Sequence, residues 1–219
     1  ASRGWKHTPT VSTFASTTSD GYPDSDGQGR HTERSDATVP SRLCPSVASV
    51  RDMAGDVTVR VSHPGDVEAV QGVAAASWHA AYDDVLGADV VDSVLDEWYT
   101  DDAIEAGITH DAQDFFVAVR DDEVIGYAHV GPHPPRRVHQ LYRLYVHPDD
   151  WRQGIGRQLL AEVEQALYDR DVKRYEAQVL ADNVIGVAFY ESTGFERVDE
   201  SEREMAGETV QEYVFAKQL

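Results

Sequence analysis

The sequence predicts a mixed α/β sandwich in which helices cover both faces of one sheet. Strand patterns dominate the start of the chain's second part and then alternate with helical patterns, an order typical of a mixed sheet. The helical stretches carry their apolar residues on one side, which indicates that each helix packs on a sheet. A chain of 219 residues with 41% hydrophobic content is large enough to bury such a core.

The first elements are a strand, two helices and a hairpin. Residues 57–61 alternate apolar and polar side chains and predict the first strand. Two helices follow, the second of which begins after Gly87. Residues 115–120 and 123–130 are rich in β-branched and aromatic side chains and flank an acidic turn, which predicts an antiparallel hairpin. A proline-rich loop follows at residues 131–135.

The later elements alternate between strand and helix. A strand at residues 139–146 ends before Pro148, because proline cannot donate to a ladder. The remaining elements are a helix at 155–168, a strand at 174–180, a helix at 183–192 and strands at 195–199 and 210–216. These patterns supply the strands of one sheet and helices for both of its faces.

The first 55 residues differ in composition from the rest. They contain sixteen Ser and Thr residues and a stretch rich in Gly and Asp at residues 19–29, with few large apolar side chains. Such a segment gains too little from burial to offset the entropy of ordering. We therefore divide the chain into a low-complexity polar extension at residues 1–55 and one domain at residues 56–219.

The predicted domain is strongly acidic. Residues 56–219 contain 33 of the 39 Asp and Glu residues but 13 of the 19 Lys and Arg residues, and so carry the whole net charge of −20. Long-range repulsion makes nucleic acids and anionic membranes poor partners. Three of the 19 basic residues are lysines, and acidic, lysine-poor surfaces resemble those of salt-loving organisms. Because Cys44 is the single cysteine and no 18-residue apolar run occurs, we expect a cytoplasmic protein.

A glycine-containing turn precedes the helix at 155–168. Residues 149–160 read DDWRQGIGRQLL. Gly154 and Gly156 let the backbone approach a ligand closely, and the first N–H groups of the helix point outward with the positive end of its dipole. A Rossmann fingerprint requires a small residue where Leu159 stands, and a P-loop requires Gly-Lys-Ser/Thr, which is absent. The turn therefore predicts an anion site of another kind.

Three windows of the domain occur in an informative order. Residues 141–148 read LYRLYVHP, residues 151–156 read WRQGIG, and residues 183–195 read NVIGVAFYESTGF. Together they resemble the GNAT superfamily of acyl-CoA-dependent N-acyltransferases. The first window is similar to the family's fourth strand and the second to its pyrophosphate loop. The third is similar to a signature in which Asn183 and Tyr190 are the matching residues.

The resemblance covers residues 57–219 and implies a central mixed, mostly antiparallel sheet of six to seven strands with about four helices. It also implies acetyl-CoA as cosubstrate. Three residues depart from the family pattern: Trp151 stands for Gln or Arg, Arg152 for a frequent glycine and Gly186 for alanine. Arg152 and Arg157 are placed to bind phosphate, or else are solvated cations at the helix start. The histidine and carboxylate spacings match no metal site, so we expect no metal.

The resemblance implies roles for residues around the loop and the fourth strand. That strand, bulged near residues 144–146, separates from the fifth, and the Val146 N–H polarises the thioester carbonyl. Tyr190 donates a proton to the departing sulfur, unless it is a core tyrosine beside Phe189. Asn183 bonds the pantetheine arm, caps its own helix, or does both. The implied cofactor-binding residues are Leu144, Tyr145, Val146, Arg152, Gln153, Gly154, Ile155, Gly156, Arg157, Asn183 and Tyr190.

The acceptor side is less constrained by the sequence. Members of the similar family often have Glu where Gln140 stands, and a glutamine cannot accept a proton at useful pH. Strand alternation turns His139 away from the side of Gln140. The candidate acceptor residues are Trp78, Tyr82, Gln140 and Glu176, and the candidate bases are His139, Glu176, His79 and Tyr82. The choice among these four bases stays open.

These inferences predict an N-acetyltransferase that moves an acetyl group from acetyl-CoA to a primary amine of a small molecule or peptide by direct attack in a ternary complex. The acidic surface favours a cationic amine, bound between the first two helices and residues 131–137. The alternative is a non-catalytic acyl-CoA-binding or regulatory module of the same fold, which Gln140 suggests. A third hypothesis makes residues 1–55 an interaction arm and the domain a homodimer through its final strands.

Overall fold

The fold is described from a computed structural model of the chain. The structure describes residues 56–205 and 207–219, so the predictions for residues 1–55 and for Cys44 lie outside the described residues. The strands are β1 (Thr58–Val61), β2 (Asp114–Arg120), β3 (Glu123–His133), β4 (Val138–Val146), β5 (Arg174–Leu180), β6 (Glu196–Met205) and β7 (Glu208–Gln218). The helices are α1 (Val67–Leu86), α2 (Ala88–Trp98), α3 (Asp101–Thr109), α4 (Ile155–Asp169) and α5 (Val184–Ser192), with single 3-10 turns at Pro64–Asp66 and Pro148–Asp150.

The strands form one sheet in the order β1-β2-β3-β4-β5-β7-β6. In the described part of the chain, β4 and β5 are the parallel neighbours and the other neighbouring pairs are antiparallel. The predicted class, a mixed and mostly antiparallel sheet with helices on both faces, is confirmed. The sheet has seven strands, the upper of the two predicted numbers, and five helices flank it instead of about four.

The sequence does not predict helix α3. Its start carries a good capping signal, because the Thr100 hydroxyl accepts the Ala103 N–H at 3.3 Å and two aspartates follow Thr100. The helix has nine residues and buries only Ile104 and Gly107. So short an apolar stripe does not produce a recognisable period.

The helices lie in two layers on opposite faces of the sheet. Strand alternation separates two cores: Phe115 and Val117 pack with Trp78 of α1, whereas Phe116 packs with Leu159 of α4. Ile104 of α3 joins the first core and Phe189 of α5 the second, and we call the two sides the α1–α3 face and the α4–α5 face. Each large apolar side chain that is fully buried stabilises the fold by about 1.5–3 kcal/mol.

Three strands extend further than their patterns predict. β3 continues to His133, into the residues assigned to a loop. β6 and β7 together form a longer hairpin than the predicted strands at 195–199 and 210–216. Most of β6 is exposed and charged, so its side chains carry no alternation of apolar and polar residues. The extension is a product of backbone pairing with β7.

The β-bulge of β4 lies at Tyr142. The register of β3 against β4 shifts there, which makes Tyr142 the extra residue on β4. The predicted position near residues 144–146 is therefore wrong by two residues. Tyr142 donates its hydroxyl hydrogen to the Pro132 carbonyl of β3 at 2.7 Å, and this contact accompanies the bulge.

The sheet opens between its two central strands. β4 pairs with β5 only through residues 139–141, which face residues 175–177 of β5. Residues 142–146 of β4 and residues 178–180 of β5 do not pair with each other in the described structure. We call the space between these two segments the gap. It begins directly after the bulge.

Candidate active site

The backbone of β4 directs polar groups toward the gap. The His147 N–H donates to the Ile125 carbonyl at 2.8 Å, so these two residues form a hydrogen-bonded pair of the β3–β4 ladder. Bonded and non-bonded pairs alternate in an antiparallel ladder, so Val146 turns its N–H and C=O away from β3. Leu144 has the same orientation, whereas Tyr145 between them turns its N–H toward β3. The N–H groups of Leu144 and Val146 thus face the gap.

Two side chains fix the end of β4. The Val146 carbonyl accepts a hydrogen bond from the Ser77 hydroxyl at 3.0 Å and another from the Trp151 indole N–H at 2.7 Å. Ser77 belongs to α1, and Trp151 opens the glycine-containing turn. Trp151, which stands where the similar family has Gln or Arg, therefore anchors the turn to the edge of the gap.

The turn before α4 presents the start of that helix. Gly154 caps the helix with φ +82°, and Arg152 also has a positive φ of 64°. The N–H groups of Arg157 and Gln158 donate to the Gly154 carbonyl at 3.0 and 3.1 Å. The N–H groups of Ile155 and Gly156 lie ahead of these first helical hydrogen bonds, at the positive end of the helix dipole. This geometry suits an anion that approaches along the helix axis.

The two arginines of the turn differ in their surroundings. Arg152 is exposed. The Arg157 guanidinium donates to the carbonyl and the hydroxyl of Ser192, at 3.2 and 3.0 Å, and so links α4 to the last turn of α5. Whether either arginine binds phosphate stays a prediction.

Asn183 performs the capping role that the sequence leaves open. Its Oδ1 accepts the Gly186 N–H at 2.8 Å, and its Nδ2 donates to the Tyr82 hydroxyl at 2.7 Å. Both Asn183 and Tyr82 are buried. The bond between them joins α1 to the start of α5 at the end of β5, next to the gap. The implied contact of Asn183 with a pantetheine arm stays a prediction.

Tyr190 lies entirely inside the α4–α5 face. Its ring stacks on Phe215 with centroids 5.5 Å apart and meets the edge of Phe195 at 4.9 Å. The side chain is fully buried, beside Phe189. The surroundings of the ring are those of a core tyrosine, and its implied role as proton donor stays a prediction.

The chain matches a known protein family over the range that contains the site. Residues 75–195 match the family model described as the acetyltransferase (GNAT) family, which is more than half of the chain. The chain belongs to the GNAT acetyltransferase family. The matched range includes the turn, the gap and helix α5.

Named GNAT relatives cover the chain to different extents. The mycothiol acetyltransferase of Streptomyces bingchenggensis is 30% identical over 142 residues, which are 64% of this chain and 42% of that protein. The chain thus spans less than half the length of this relative. The spermidine N(1)-acetyltransferase of Thermoplasma acidophilum is 25% identical over 138 residues, or 61% of this chain and 84% of that protein.

Solved GNAT structures share the fold. The PaiA N-acetyltransferase of Thermoplasma acidophilum, solved in complex with coenzyme A, superposes with a TM-score of 0.65 and 22% identity over 75% of this chain and 99% of its own. The ribosomal-protein-S18-alanine N-acetyltransferase of Escherichia coli gives 0.58 and 19%, over 74% and 94%. At these identities the likeness concerns the fold alone.

Arg120 is a residue of the GNAT turn that the sequence does not reveal. It ends β2, forms an ion pair with Asp150 and donates to the Gln153 side-chain oxygen at 2.8 Å. The Gln153 side chain in turn donates to the Asp149 carbonyl at 3.2 Å. Arg120 lies 30 residues before Asp150, so no local pattern could associate the two. The guanidinium ties the β2–β3 hairpin to the turn.

The acceptor candidates on β4 and β5 lie together on the α1–α3 face. Gln140 donates to the Gln178 side-chain oxygen at 2.8 Å, and both residues are buried. Glu176 faces Gln140 in the parallel register and is held by Arg136 at 2.8 Å and Arg174 at 2.9 Å. Arg136 belongs to the β3–β4 loop, which thereby reaches across to β5. Gln178 was not among the predicted residues, although strand alternation places it beside Glu176.

Trp78, a further acceptor candidate, lies in the core of the α1–α3 face. It is fully buried, and its indole N–H donates to the Tyr99 hydroxyl at 2.9 Å. Tyr99 in turn donates to the Tyr145 hydroxyl at 3.2 Å. Trp78 therefore supports the α1–α3 layer and also packs on Tyr82, with ring centroids 4.9 Å apart.

The two candidate histidines have different surroundings. His79 lies 2.9 Å from Asp83 and 3.4 Å from Asp92. His139 projects from the face of β4 opposite to Gln140, as alternation predicts. Burial lowers the pKa of His139, aided by the nearby Arg170.

Two further observations concern metal ions and membrane spans. In residues 56–205 and 207–219, no three His, Cys, Asp or Glu side chains are grouped to hold a metal ion. None of the helices described is long and apolar enough to cross a membrane. The expected lack of a metal stays a prediction.

Proposed function

We propose that the chain is an acetyl-CoA-dependent N-acetyltransferase that transfers acetyl to a primary amine by direct attack in a ternary complex. The observation that carries the proposal is the gap, where β4 leaves β5 and turns the N–H groups of Leu144 and Val146 into the opening. An extended ligand arm fits such an opening as an additional strand would, because unpaired backbone donors line it.

The residues present fit acetyl-CoA. Its pyrophosphate is an anion, and the start of α4 behind Gly154 offers backbone N–H groups at the positive end of a helix dipole. The chain carries a net charge of −20, so long-range attraction does not bring the cofactor in. Local donors must therefore hold the phosphates, which makes the geometry of the turn essential.

The proposed chemistry uses the Val146 N–H and the Tyr190 hydroxyl. The Val146 N–H donates to the thioester carbonyl oxygen and stabilises the negative charge that develops there, an effect of about 3 kcal/mol for one donor. When the amine nitrogen has bonded to the acetyl carbon, the carbon–sulfur bond breaks. The Tyr190 hydroxyl then donates a proton to the sulfur.

The acceptor we propose is a cationic amine on the α1–α3 face. Tyr82, Gln140 and Glu176 are brought to this side, and the β3–β4 loop closes over it through Arg136. The excess of carboxylates favours a positive ligand. One relative is named a spermidine N(1)-acetyltransferase, and spermidine is a cation of this kind.

Calorimetric titration with acetyl-CoA and an assay of thiol release test the proposal. We expect binding, and release of the CoA thiol that depends on either spermidine or a peptide beginning with alanine. Mass spectrometry should show an acetylated amine. A chain that binds no acetyl-CoA would contradict the whole assignment.

The second candidate is a non-catalytic acyl-CoA-binding module. The observation in its favour is that two amide side chains, Gln140 and Gln178, bond to each other where a proton acceptor would be useful. Such a module binds acetyl-CoA but releases no thiol with any amine. The same pair of measurements therefore separates the two candidates.

A further inference from the structure

A buried carboxyl group lies beside the gap on the α1–α3 face. Glu212 of β7 is 1% exposed and pairs with Leu180 at the end of β5. Directly paired residues of antiparallel strands project from the same face, and Leu180 packs in the core of α1. Because Leu180 borders the gap, the Glu212 carboxyl lies one strand away from it, on the acceptor side.

The two oxygens of this carboxyl differ in their partners. Arg203 of β6 approaches Oε2 at 3.3 Å, whereas Oε1 has no hydrogen-bond partner among the residues that the structure describes. Buried polar atoms are nearly always satisfied, so an exception requires an explanation. A protonated amine that enters the acceptor side would supply the missing donor.

The other groups on this face are unsuited to accept a proton. Gln140 and Gln178 are amides bonded to each other. Both oxygens of Glu176 are occupied by guanidinium groups, from Arg136 and Arg174. Neither oxygen of Glu176 is therefore open to an incoming ammonium group.

Glu212 lies in a different environment from Glu176. Burial raises the pKa of Glu212, while Arg203 of β6 and Arg136 of the β3–β4 loop oppose that rise. A carboxyl group with a raised pKa is a better match for proton transfer near neutral pH. These two arginines are also the charged groups that act most directly on the carboxyl.

We infer that Glu212 accepts the proton of the acceptor amine, an inference that rests on the proposed function. The ammonium gives one proton to Glu212 Oε1, and its nitrogen then bonds to the acetyl carbon. The nitrogen releases a second proton to solvent. As the carbon–sulfur bond breaks, the sulfur takes one proton from Tyr190, and solvent restores Tyr190 and discharges Glu212.

Glu212→Gln tests the inference because it keeps the shape of the side chain and removes the proton acceptor. With spermidine or the alanine peptide at pH 7, we expect kcat to fall about 100-fold or more. Calorimetry should give the same affinity for acetyl-CoA. The deficit should shrink as pH rises toward the pKa of the amine, because the free amine no longer needs a base. Glu200→Gln, on the exposed β6, is the control and should retain wild-type turnover.

Each outcome has a distinct meaning. If the wild-type chain acetylates an amine and Glu212→Gln has the same kcat, Glu212 is not the base and the proposed function stands. A deficit that is constant with pH, or a larger loss from Glu176→Gln, also overturns it. Glu212→Asp should recover part of the activity, which separates loss of the base from misfolding. A wild-type chain that binds acetyl-CoA and acetylates neither amine overturns the proposed function and this inference together.

Discussion

The two faces of the sheet bury different kinds of side chain. The α4–α5 face is filled with aliphatic and aromatic residues, Tyr190 and Tyr175 among them. The α1–α3 face buries aromatic residues together with Gln140, Arg143, Glu176, Gln178 and Glu212. A buried polar group lowers stability unless it is bonded, so a face that retains several is built for more than packing. We propose that the first face supports the turn that binds the cofactor and that the second face receives the acceptor, and the variants below test this division.

Among the variants that compare the two faces, the largest effect on kcat is expected from Tyr190→Phe, on the apolar face. The ring should keep its stack on Phe215, so the free energy of unfolding should change little. Loss of a general acid lowers kcat by about 100-fold, with unchanged affinity for acetyl-CoA. Steady-state kinetics and calorimetry measure the two quantities. Unchanged kcat would make Tyr190 a packing residue and leave the apolar face without a chemical role.

A smaller effect is expected from Gly154→Val. The glycine has φ +82°, which a β-branched residue adopts only under strain of about 1–3 kcal/mol. A Cβ at this position would contact nothing within 4 Å, so the fold should survive while the turn relaxes. We expect the dissociation constant of acetyl-CoA to rise at least about tenfold, which corresponds to about 1.4 kcal/mol.

Gly207→Val is the matched control for the turn. Gly207 has φ +88° and equally open surroundings, in the β6–β7 turn far along the sheet from α4. The control should suffer the same backbone strain without weakening acetyl-CoA binding. Equal loss of affinity in both variants would mean that strain lowers overall stability and that the turn before α4 has no special part in binding.

The sequence could predict what a contiguous window encodes. The turn at residues 151–156 and the Asn183 cap are short motifs, and the structure places both where their patterns indicate. The bond from Asn183 to Tyr82 spans 101 residues, and that from Gln140 to Gln178 spans 38. Such pairs arise when strands and helices are assembled, and no local spacing records them. The polar face was therefore the harder one to predict.

Exposure and long-range contacts also explain which parts of the fold the sequence did not predict. α3 and the ends of β6 and β7 are mostly polar and exposed, so burial leaves little trace in their sequence. The bulge at Tyr142 accompanies a hydroxyl contact with Pro132 on another strand. The apolar runs of β2 and β5, in contrast, were predicted within one residue of their observed bounds. Patterns that report burial predict the core, and tertiary contacts decide the rest.

A modest effect is expected from Arg120→Gln. The guanidinium holds Asp150 and Gln153, and its loss should loosen the turn without removing a backbone donor. We expect the KM for acetyl-CoA to rise about threefold to tenfold with little change in kcat. This result follows when a substitution removes an interaction that is equally strong in the ground state and the transition state. Arg60→Gln is the control, since Arg60 forms a comparable pair with Asp66 at 2.8 Å near β1. A rise in KM from both variants would refute a local role for Arg120.

The smallest effect on stability is expected from Arg143→Met, on the polar face. Arg143 is buried, donates to the Trp98 carbonyl at 2.9 Å and lies 4.7 Å from the centre of the Tyr99 ring. Among the described residues it has no carboxylate partner within 4 Å. Desolvation of a charge opposes folding, so an apolar side chain of similar length should leave the free energy of unfolding unchanged or raise it by about 1 kcal/mol.

Chemical denaturation of Arg143→Met beside Leu159→Ala compares the faces directly. Leu159 is fully buried in the α4–α5 core, and its truncation should lower the free energy of unfolding by about 2–5 kcal/mol. If the arginine variant loses as much as the leucine variant, Arg143 stabilises the fold through its hydrogen bond and ring contact. The polar face would then be explained by packing, and its buried charges would no longer indicate a binding side.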